Sequence, residues 1–371
     1  TNNFTYTNLI THKSDGTDLF ARDFIRRSAH ELWIATESGV FIYDEIEKRF
    51  TNLHKQYNNP YSIADNAVYT LCKDREGGIW AGTYFGGVNY YPTQYTYFEK
   101  IFPRMGENSI SGSAVREIVK DNNGNMWIGT EDAGLNKLDL KTGIFSNYKP
   151  DDGRSGISNT NIHGLLIVGD ELWIGTFEHG LDVMDLRTEK VVRHYNAGPA
   201  ANQFKSNFIY CMLKTSKGEI VIGTAVGLYL YNKASNDFTL LKQVPSNTFY
   251  TMLTEDANGT IWAGTFRDGV YYFNLEKGYK GYIKHDPALK TDLSMNRVTS
   301  ILEGSDHNIW IGTESGLFKY DVVTRRLKQF SVKDGLPGNL IYSMLEDSNK
   351  KLWISTSKGL VCFNIRTERV K

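Results

Sequence analysis

The sequence predicts an all-β fold, a β-propeller made of four-stranded antiparallel blades, and three observations lead to it. A motif close to Trp-Ile-Gly-Thr returns eight times, with a spacing of about 46 residues that is typical of one propeller blade. Segments rich in β-branched and aromatic residues flank each copy, and turns with Gly, Asn and Asp separate them. Helical heptads are absent, which argues against helical repeats of similar length. The central positions of the eight copies are Trp33, Trp80, Trp127, Trp173, Val221, Trp262, Trp310 and Trp353.

One repeat, residues 114–148, illustrates how a blade is expected to form. Gly124 lies in the first turn, where it can adopt a positive φ, and Gly129 lies inside a strand, where a neighbouring backbone is expected to approach closely. The second strand is apolar on both faces, as expected for a strand between two sheets. We therefore expect the tryptophans to form the core between blades rather than a ligand site. The predicted strands of this repeat are residues 114–120, 126–130, 135–140 and 144–148.

The two ends of the chain suggest how the predicted ring closes. The eighth repeat begins near Ile341 and reaches Lys371 just where its outer strand should form. Residues 3–10 resemble an outer strand, and pairing with residues 361–365 would close the ring and remove an open sheet edge. This predicts one domain over residues 1–371 with eight blades. The alternative is a seven-bladed ring plus an extra blade, with the blades of a longer chain belonging to two adjacent rings.

Composition excludes several classes of partner. Lys and Arg together number 42, as do Asp and Glu, so no net charge favours nucleic acid or a charged membrane surface. No apolar run is long enough to cross a bilayer. Cys72, Cys211 and Cys362 lie in apolar strand patterns and are expected to be buried free thiols.

Motifs for metals, cofactors and catalysis are missing from the sequence. Acidic turns such as residues 121–124 and 256–259 lack the alternating ligands of a calcium loop, so turn chemistry is the favoured interpretation. Zinc-binding, phosphate-binding and nucleophile motifs do not occur. We therefore expect no metal, no cofactor and no catalysis.

The irregular loops on one face of the blades are the predicted place for a ligand site. A polar or aromatic residue occurs at the start of most first strands, and the loops after the second strands add further aromatic and charged residues. Aromatic faces beside Arg, His and carboxylates suit a polar, uncharged or weakly charged ligand such as a sugar. The candidate ligand-binding residues are Arg22, Tyr69, Tyr84, Phe85, Arg116, Glu131, His163, Phe177, His179, Tyr210, Phe266, Arg267 and Tyr342.

Two other functions remain open on the residues alone. His163 and His179 share one repeat, and with Tyr210 and Arg116 they could form an acid–base set in a polysaccharide lyase or glycan hydrolase acting on a uronic-acid-containing glycan. A protein-interaction platform is the other alternative.

The full repeat resembles a known family. Asp-x-x-Gly-x-[Ile/Leu/Met]-Trp-Ile-Gly-Thr-x-x-x-Gly-Leu, followed by Tyr/Phe-Asp, is similar to the two-component regulator propeller repeat, and it matches in all eight units, most weakly in the fifth. Residues 76–91, 130–135 and 176–184 especially resemble the sensor regions of hybrid two-component systems.

The resemblance implies a periplasmic sensor for glycan fragments that controls an inner-membrane histidine kinase. It implies an oligosaccharide ligand and self-association in the parent receptor. Members of this family usually carry two seven-bladed propellers, followed by an immunoglobulin-like domain, a membrane helix and the kinase. The eight motifs seen here differ from the seven of one such ring.

Overall fold

The computed structural model describes residue 9 and residues 18–93, 100–150, 153, 155–283 and 297–370. Thirty-one strands in these ranges form eight antiparallel sheets, in which neighbouring strands follow chain order. The prediction of an all-β propeller fold built from eight repeated sheets is confirmed. One short 3-10 helix, Val332–Asp334, accompanies them. None of the helical segments in the described ranges has the length and apolar character needed to span a membrane.

The chain divides into two compact units, Thr1–Glu107 and Asn108–Lys371. The single domain over residues 1–371 stays a prediction. The first unit holds sheets 1 and 2, and the described part of sheet 2 has three strands. Sheet 1 contains β1 (Ala21–Arg26), β2 (Glu31–Thr36), β3 (Gly39–Asp44) and β4 (Arg49–Leu53), and sheet 2 contains β5 (Val68–Lys73), β6 (Ile79–Thr83) and β7 (Val88–Tyr91).

The second unit holds sheets 3 to 8, each with four strands. Its first strands, β8, β12, β16, β20, β24 and β28, contact one another in succession and form the inner side of the unit. Sheets 3 to 5 contain β8 (Val115–Lys120), β9 (Asn125–Thr130), β10 (Leu135–Asp139), β11 (Phe145–Tyr148), β12 (Ile162–Val168), β13 (Glu171–Thr176), β14 (Leu181–Asp185), β15 (Lys190–Tyr195), β16 (Ile209–Lys214), β17 (Ile220–Thr224), β18 (Leu228–Asn232) and β19 (Asp237–Leu240). Sheets 6 to 8 contain β20 (Tyr250–Glu255), β21 (Ile261–Thr265), β22 (Val270–Phe273), β23 (Lys280–Ile283), β24 (Val298–Glu303), β25 (Ile309–Thr313), β26 (Gly316–Asp321), β27 (Arg326–Phe330), β28 (Ile341–Glu346), β29 (Lys351–Thr356), β30 (Gly359–Asn364) and β31 (Arg369–Val370).

The last sheet has a short outer strand of its own, where the sequence analysis expected none at this end of the chain. Strand β31 pairs with β30 through Phe363↔Val370 and Asn364↔Arg369. Residues 3–10, proposed to close this sheet, lie outside the described residues apart from Leu9. The closing role of that segment therefore stays a prediction.

Most tryptophans are buried between consecutive sheets, as predicted. Trp33, Trp127, Trp173, Trp262 and Trp310 are each at most 2% exposed, and each joins a cluster with residues of the following sheet. The prediction is wrong for Trp80 and Trp353, which are 44% and 38% exposed. Sheets 2 and 8 are the last sheets of their units, so these two indoles have no following sheet within the unit to cover them.

The glycine of the second strand lies where the next sheet comes close, as predicted. A Cβ atom added at Gly129 would lie 2.7 Å from Ile162 Cγ2, and one added at Gly264 would lie 2.5 Å from Val298 Cγ1. Ile162 and Val298 begin the first strands of the following sheets. The absence of a side chain thus permits the tight approach of consecutive sheets.

In five sheets, an aspartate in the turn before the second strand accepts a hydrogen bond from the indole that follows it. Asp121 Oδ1 accepts hydrogen bonds from the backbone amides of Asn123 and Asn125, each at 2.9 Å. Asp121 Oδ2 accepts from Trp127 Nε1 at 2.9 Å and from the Asn125 side chain at 2.9 Å. The acidic residue therefore serves turn chemistry, as expected. The same indole–carboxylate bond joins Trp80 to Asp74, Trp262 to Asp256, Trp310 to Asp306 and Trp353 to Asp347.

The three cysteines are free, but their burial differs from the prediction. Cys72 is exposed, whereas Cys211 and Cys362 are partly buried. Cys72 lies in β5 of sheet 2, opposite the exposed Trp80. Burial raises the pKa of the Cys211 thiol, which favours the uncharged form.

We expect Asp121→Ala to lower the free energy of unfolding by about 1–3 kcal/mol, because a buried indole N–H and two turn amides lose their acceptor. Urea denaturation measures this change. Asp170→Ala is the matched control: Asp170 occupies the corresponding turn of sheet 4, and its carboxylate accepts no hydrogen bond from the described residues. The control should change stability by less than about 0.5 kcal/mol. Equal losses in the two variants would contradict the role given to the indole–carboxylate bond.

Candidate functional site

A β-bulge interrupts the first strand of every sheet at the same place. In sheet 3, Val115 pairs with Thr130 and Glu117 with Gly129, so Arg116 has no partner of its own. A bulge leaves one residue unpaired and redirects its side chain away from the regular alternation of the strand. This is the position at the start of each first strand where the sequence predicts many of the ligand-facing residues. The unpaired residues are Arg22, Tyr69, Arg116, His163, Tyr210, Thr251, Thr299 and Tyr342.

Two of these bulged residues are engaged by the fold itself. Thr251 Oγ1 donates to the carbonyl of Val298 at 2.6 Å, and Thr299 Oγ1 donates to the carbonyl of Ile341 at 2.7 Å. Each bond links one inner strand to the next. These hydroxyls therefore hold consecutive sheets together.

Polar side chains on the third strands fix the loops that enter the inner strands. Asn136 Oδ1 accepts from the backbone amide of Ser111 at 2.8 Å, and Asp182 Oδ2 accepts from that of Ser158 at 2.7 Å. Both Asn136 and Asp182 are fully buried. Asn89 and Tyr229 bind the equivalent amides of Ala64 and Lys205 at 2.9 and 3.0 Å. These hydrogen bonds therefore fix the backbone of the loops that lead into the first strands.

In the first unit, four candidate residues form an exposed aromatic group. The guanidinium carbon of Arg22 lies 4.1 Å from the centre of the Tyr69 ring, and Arg22 forms an ion pair with Glu37. The Tyr69 and Tyr84 rings stack at 5.3 Å, and Phe85 meets Tyr84 edge-on at 4.3 Å. Tyr84 is 60% exposed and Phe85 87% exposed. The group offers flat apolar surfaces to solvent.

In the second unit, all six inner strands line a cavity of about 640 Å³. The candidate residues Arg116, Tyr210 and Tyr342 contribute to its wall. Glu117 and Arg297 also line it. The apolar side chains of the lining are Val115, Leu165, Met212, Met252, Leu253, Val298, Ile301, Leu340 and Met344. The wall thus combines apolar side chains with a similar share of polar groups, including Glu314 and several hydroxyls. Small-molecule sites combine apolar contact surface with polar groups that orient the ligand.

Tyr210 lies between two arginines on the cavity wall. Arg297 Nη2 donates to the Tyr210 hydroxyl at 2.6 Å, and the guanidinium carbon of Arg116 lies 4.8 Å from the ring centre. Arg116 Nη1 is 3.5 Å from a Glu131 carboxylate oxygen, and His163 Nε2 is 3.9 Å from the same carboxylate. The His163 and Tyr210 rings are 5.4 Å apart. Four candidate residues are therefore in contact with one another.

A row of aromatic rings continues from this group. Phe208 lies 4.8 Å from Phe177 and 5.4 Å from Phe249, measured between ring centres. Phe249 stacks on Phe266 at 5.4 Å with an angle of 8° between the planes. Arg267 and Arg297 lie over Phe266 at 5.5 and 5.2 Å.

Burial and charge shift the pKa values of two groups here. Burial lowers the pKa of His163 to about 4, and the positive charges of Arg116 and Arg297 act in the same direction. His163 is therefore a neutral imidazole near pH 7. Burial raises the pKa of Glu117 to about 7, against the opposing effect of Arg116. The Glu117 carboxyl thus carries a proton over much of the acidic range.

The remaining candidate residues occupy separate positions. His179 Nδ1 lies 2.5 Å from the Asn159 side-chain nitrogen and 3.2 Å from the Phe177 carbonyl oxygen, and His179 does not line the cavity. Arg22, Tyr69, Tyr84 and Phe85 belong to the first unit. A ligand-binding role for all thirteen residues stays a prediction.

Sequence reasoning missed Arg297, Phe208, Phe249 and Glu117. The first three each stand immediately before an inner strand, two positions ahead of the bulged residue. Extending the repeat alignment by two residues would have found them. Glu117 directly follows a bulged residue, and its burial has no signal in the sequence.

Comparisons with known proteins support the fold. The family model described as two component regulator propeller matches residues 62–85, 109–132, 243–267, 292–315 and 335–358. The structure and these matches define a β-propeller protein. More specifically, five segments of the chain are similar to the two component regulator propeller repeat.

Several crystal structures are similar to this chain. Two are of the extracellular domain of one putative regulatory system of B. thetaiotaomicron, described as one component in the first and hybrid two component in the second. They share 18% identity, with TM-scores of 0.59 and 0.56, and the matches cover 96% and 93% of this chain. The computationally designed protein Ika8 shares 14% identity over 92% of this chain and 95% of its own, with a TM-score of 0.50. At these identities the likeness concerns the fold.

This chain spans about half the length of the two bacterial structures, 54% and 52%. No curated protein matches the chain.

We expect Glu117→Gln to change how stability depends on pH. The Glu117 pKa is raised to about 7 in the folded state. The protonated carboxyl therefore contributes fully to the free energy of unfolding below the unfolded-state pKa near 4.3, and this contribution is lost as the pH rises through about 7. The variant should therefore gain stability relative to wild type between pH 5 and pH 8, by on the order of 1 kcal/mol. Urea denaturation at both pH values measures this. Glu178→Gln, an exposed loop glutamate, is the control. If the free energies of unfolding of wild type and Glu117→Gln differed by the same amount at pH 5 and at pH 8, the raised pKa would be contradicted.

Proposed function

We propose that this chain is the extracytoplasmic, periplasmic ligand-binding part of a hybrid two-component signalling system. In this proposal it recognises oligosaccharide fragments and controls a membrane histidine kinase. Ligand binding would change how two propeller-bearing chains associate. This requires that the ligand bind more tightly to one arrangement of the paired chains than to the other, because only such a difference in affinity shifts the equilibrium between them. The propeller repeats and the extracellular source of the similar bacterial structures support this proposal.

The observation that carries the proposal is the cavity of the second unit. Its volume of about 640 Å³ lies within the range of small-molecule sites, and a disaccharide or trisaccharide is of that size. Tyr210 offers a ring face for sugar C–H groups, while its hydroxyl and the guanidinium groups of Arg116 and Arg297 offer oriented hydrogen bonds. Because loops and strands hold these groups in place, a ligand would not have to order them.

A polysaccharide lyase is the second candidate, and one arrangement favours it. His163 is a neutral imidazole 5.4 Å from the Tyr210 ring, and two arginines lie beside Tyr210. A neutral base next to cationic groups could remove the proton adjacent to a uronate carboxylate, and elimination would then break the glycosidic bond. The product would contain an unsaturated uronate, which absorbs ultraviolet light.

Incubation with a panel of defined oligosaccharides tests both candidates. A bound sugar at 100 times its Kd should stabilise the fold by about 2.7 kcal/mol, measured by thermal or urea unfolding. Tyr210→Ala should abolish most of this stabilisation, because it removes the ring face and the hydroxyl together. Tyr57→Ala, at an exposed tyrosine of the first unit, should leave it intact.

The outcomes separate the functions. Stabilisation without any product supports the sensor, whereas an ultraviolet-absorbing product that disappears in His163→Phe supports the lyase. No stabilisation by any sugar would overturn the sensor proposal.

A further inference from the structure

Arg297 differs from three other half-buried arginines, Arg27, Arg116 and Arg193. Arg116 pairs with Glu131 at 3.5 Å, Arg193 with Glu171 at 2.7 Å and Arg27 with Glu31 at 3.3 Å. Arg297 forms no ion pair with any described residue, and its Nε is buried without a hydrogen-bond acceptor. Its other contacts are the Tyr210 hydroxyl and the face of Phe266.

A half-buried guanidinium without an ion-pair partner among the described residues carries an energetic cost. Burying a charge or an N–H group without a partner is unfavourable, and the cost is relieved when an acceptor arrives. Tyr210 binds one N–H group of Arg297 Nη2, and Nη1 has no hydrogen-bond acceptor among the described residues. The edge formed by Nη1 and Nη2 therefore retains N–H groups for another acceptor. A guanidinium matches the geometry of a carboxylate or sulfate, whose two oxygens can accept from two adjacent N–H groups.

The rest of the cavity indicates what carries that anionic group. The space of about 640 Å³ is far larger than an inorganic anion, and it presents Met212, Leu253, Ile301 and Met344 beside the polar groups. Apolar side chains contribute little to binding a small hydrated ion, but they can pack against the C–H groups of a sugar ring.

We infer that the cavity of the second unit binds an acidic saccharide, with the carboxylate or sulfate of one sugar held by Arg297 and an adjoining ring lying against Tyr210. This inference rests on the proposed sensor function and specifies the chemical class of its ligand. Arg116 contributes less to the anion than Arg297, because Glu131 already neutralises it.

Matched pairs of oligosaccharides test the inference. One pair is an oligogalacturonate and its carboxyl-reduced form, and the other is a sulfated chondroitin oligosaccharide and its desulfated form. Isothermal titration calorimetry with the whole chain measures Kd for each. At least one acidic member should bind about 10- to 100-fold more tightly than its neutral or desulfated counterpart, as expected for a hydrogen-bonded charge pair. The pair that shows this preference distinguishes a carboxylate from a sulfate.

Variants connect the preference to Arg297. Arg297→Gln should remove the preference, whereas Arg297→Lys should retain part of it, because a lysine keeps the charge without the planar fork. Tyr210→Phe tests whether the hydroxyl contact acts through the position of Arg297, and it should weaken the acidic member by less than Arg297→Gln does. Arg187→Gln, at an exposed turn of sheet 4, is the control and should leave every Kd unchanged. Unfolding curves establish that each variant is folded.

Three results would be decisive. Loss of the preference in Arg297→Gln, with the control unchanged, supports the inference. Equal binding of the acidic and neutral members, unaffected by Arg297→Gln, overturns the inference and leaves the oligosaccharide sensor standing. Failure of every oligosaccharide in the wider panel to bind overturns the proposed function, and the inference with it.

Discussion

The hydrogen bond between an indole N–H and a carboxylate is the contact on which the repeated sheets depend. All seven tryptophans donate such a bond, five to an Asp of the preceding turn and two to a Glu two positions earlier, Glu31 and Glu171. The contact joins the turn to the tryptophan side chain, which packs against the next sheet in five of the sheets. A buried indole needs an acceptor for its N–H, and a tight turn needs an acceptor for its amides, so one carboxylate serves both.

The two irregular sheets show the same constraint. Where Val221 replaces the tryptophan, Thr215 replaces the aspartate, and its hydroxyl accepts from the amide of Glu219 at 3.1 Å. In sheet 7 the usual position of the aspartate is Gly304, and Asp306 supplies the carboxylate from two residues further on. A Cβ atom at Gly304 would lie 2.6 Å from Asp306 Oδ1, so the glycine leaves space for the substituted acceptor. The carboxylate is therefore lost where the indole is lost, in sheet 5, and is supplied from another position where the indole remains, in sheet 7.

The sequence predicted the sheets well because they repeat, and the site less well because it does not. Period, turn chemistry and the close approach at Gly129 all follow from residues that recur. The exposure of Trp80 and Trp353 was not predictable, since it depends on which sheet ends a compact unit, and the local motif is the same in every copy. The bulge in each first strand has no common residue type, because Arg, Tyr, His and Thr all occupy it. The sequence therefore predicted the position of this residue at the start of the first strand, but not the bulge in the backbone there.

Within a sheet, the residues that fix the strands and loops are different from the bulged residue of the first strand. The residues of a ligand site can therefore vary while the fold is kept. The bond to the indole fixes the second strand from one end, and buried polar groups such as Asn136 and Asp182 fix the loop at the other. Neither constraint involves the bulged residue, whose backbone is already unpaired and whose side chain is free of the strand alternation. In sheets 6 and 7 that residue is a threonine that ties neighbouring strands together. In sheets 3 and 5 it is Arg116 or Tyr210, which line the cavity, and in sheet 4 it is His163, whose ring contacts Tyr210. In sheets 3 and 5, substitution at the bulge therefore changes the wall of the cavity at little cost to the sheet. Arg297, which forms no ion pair with the described residues, binds the bulged Tyr210 of sheet 5.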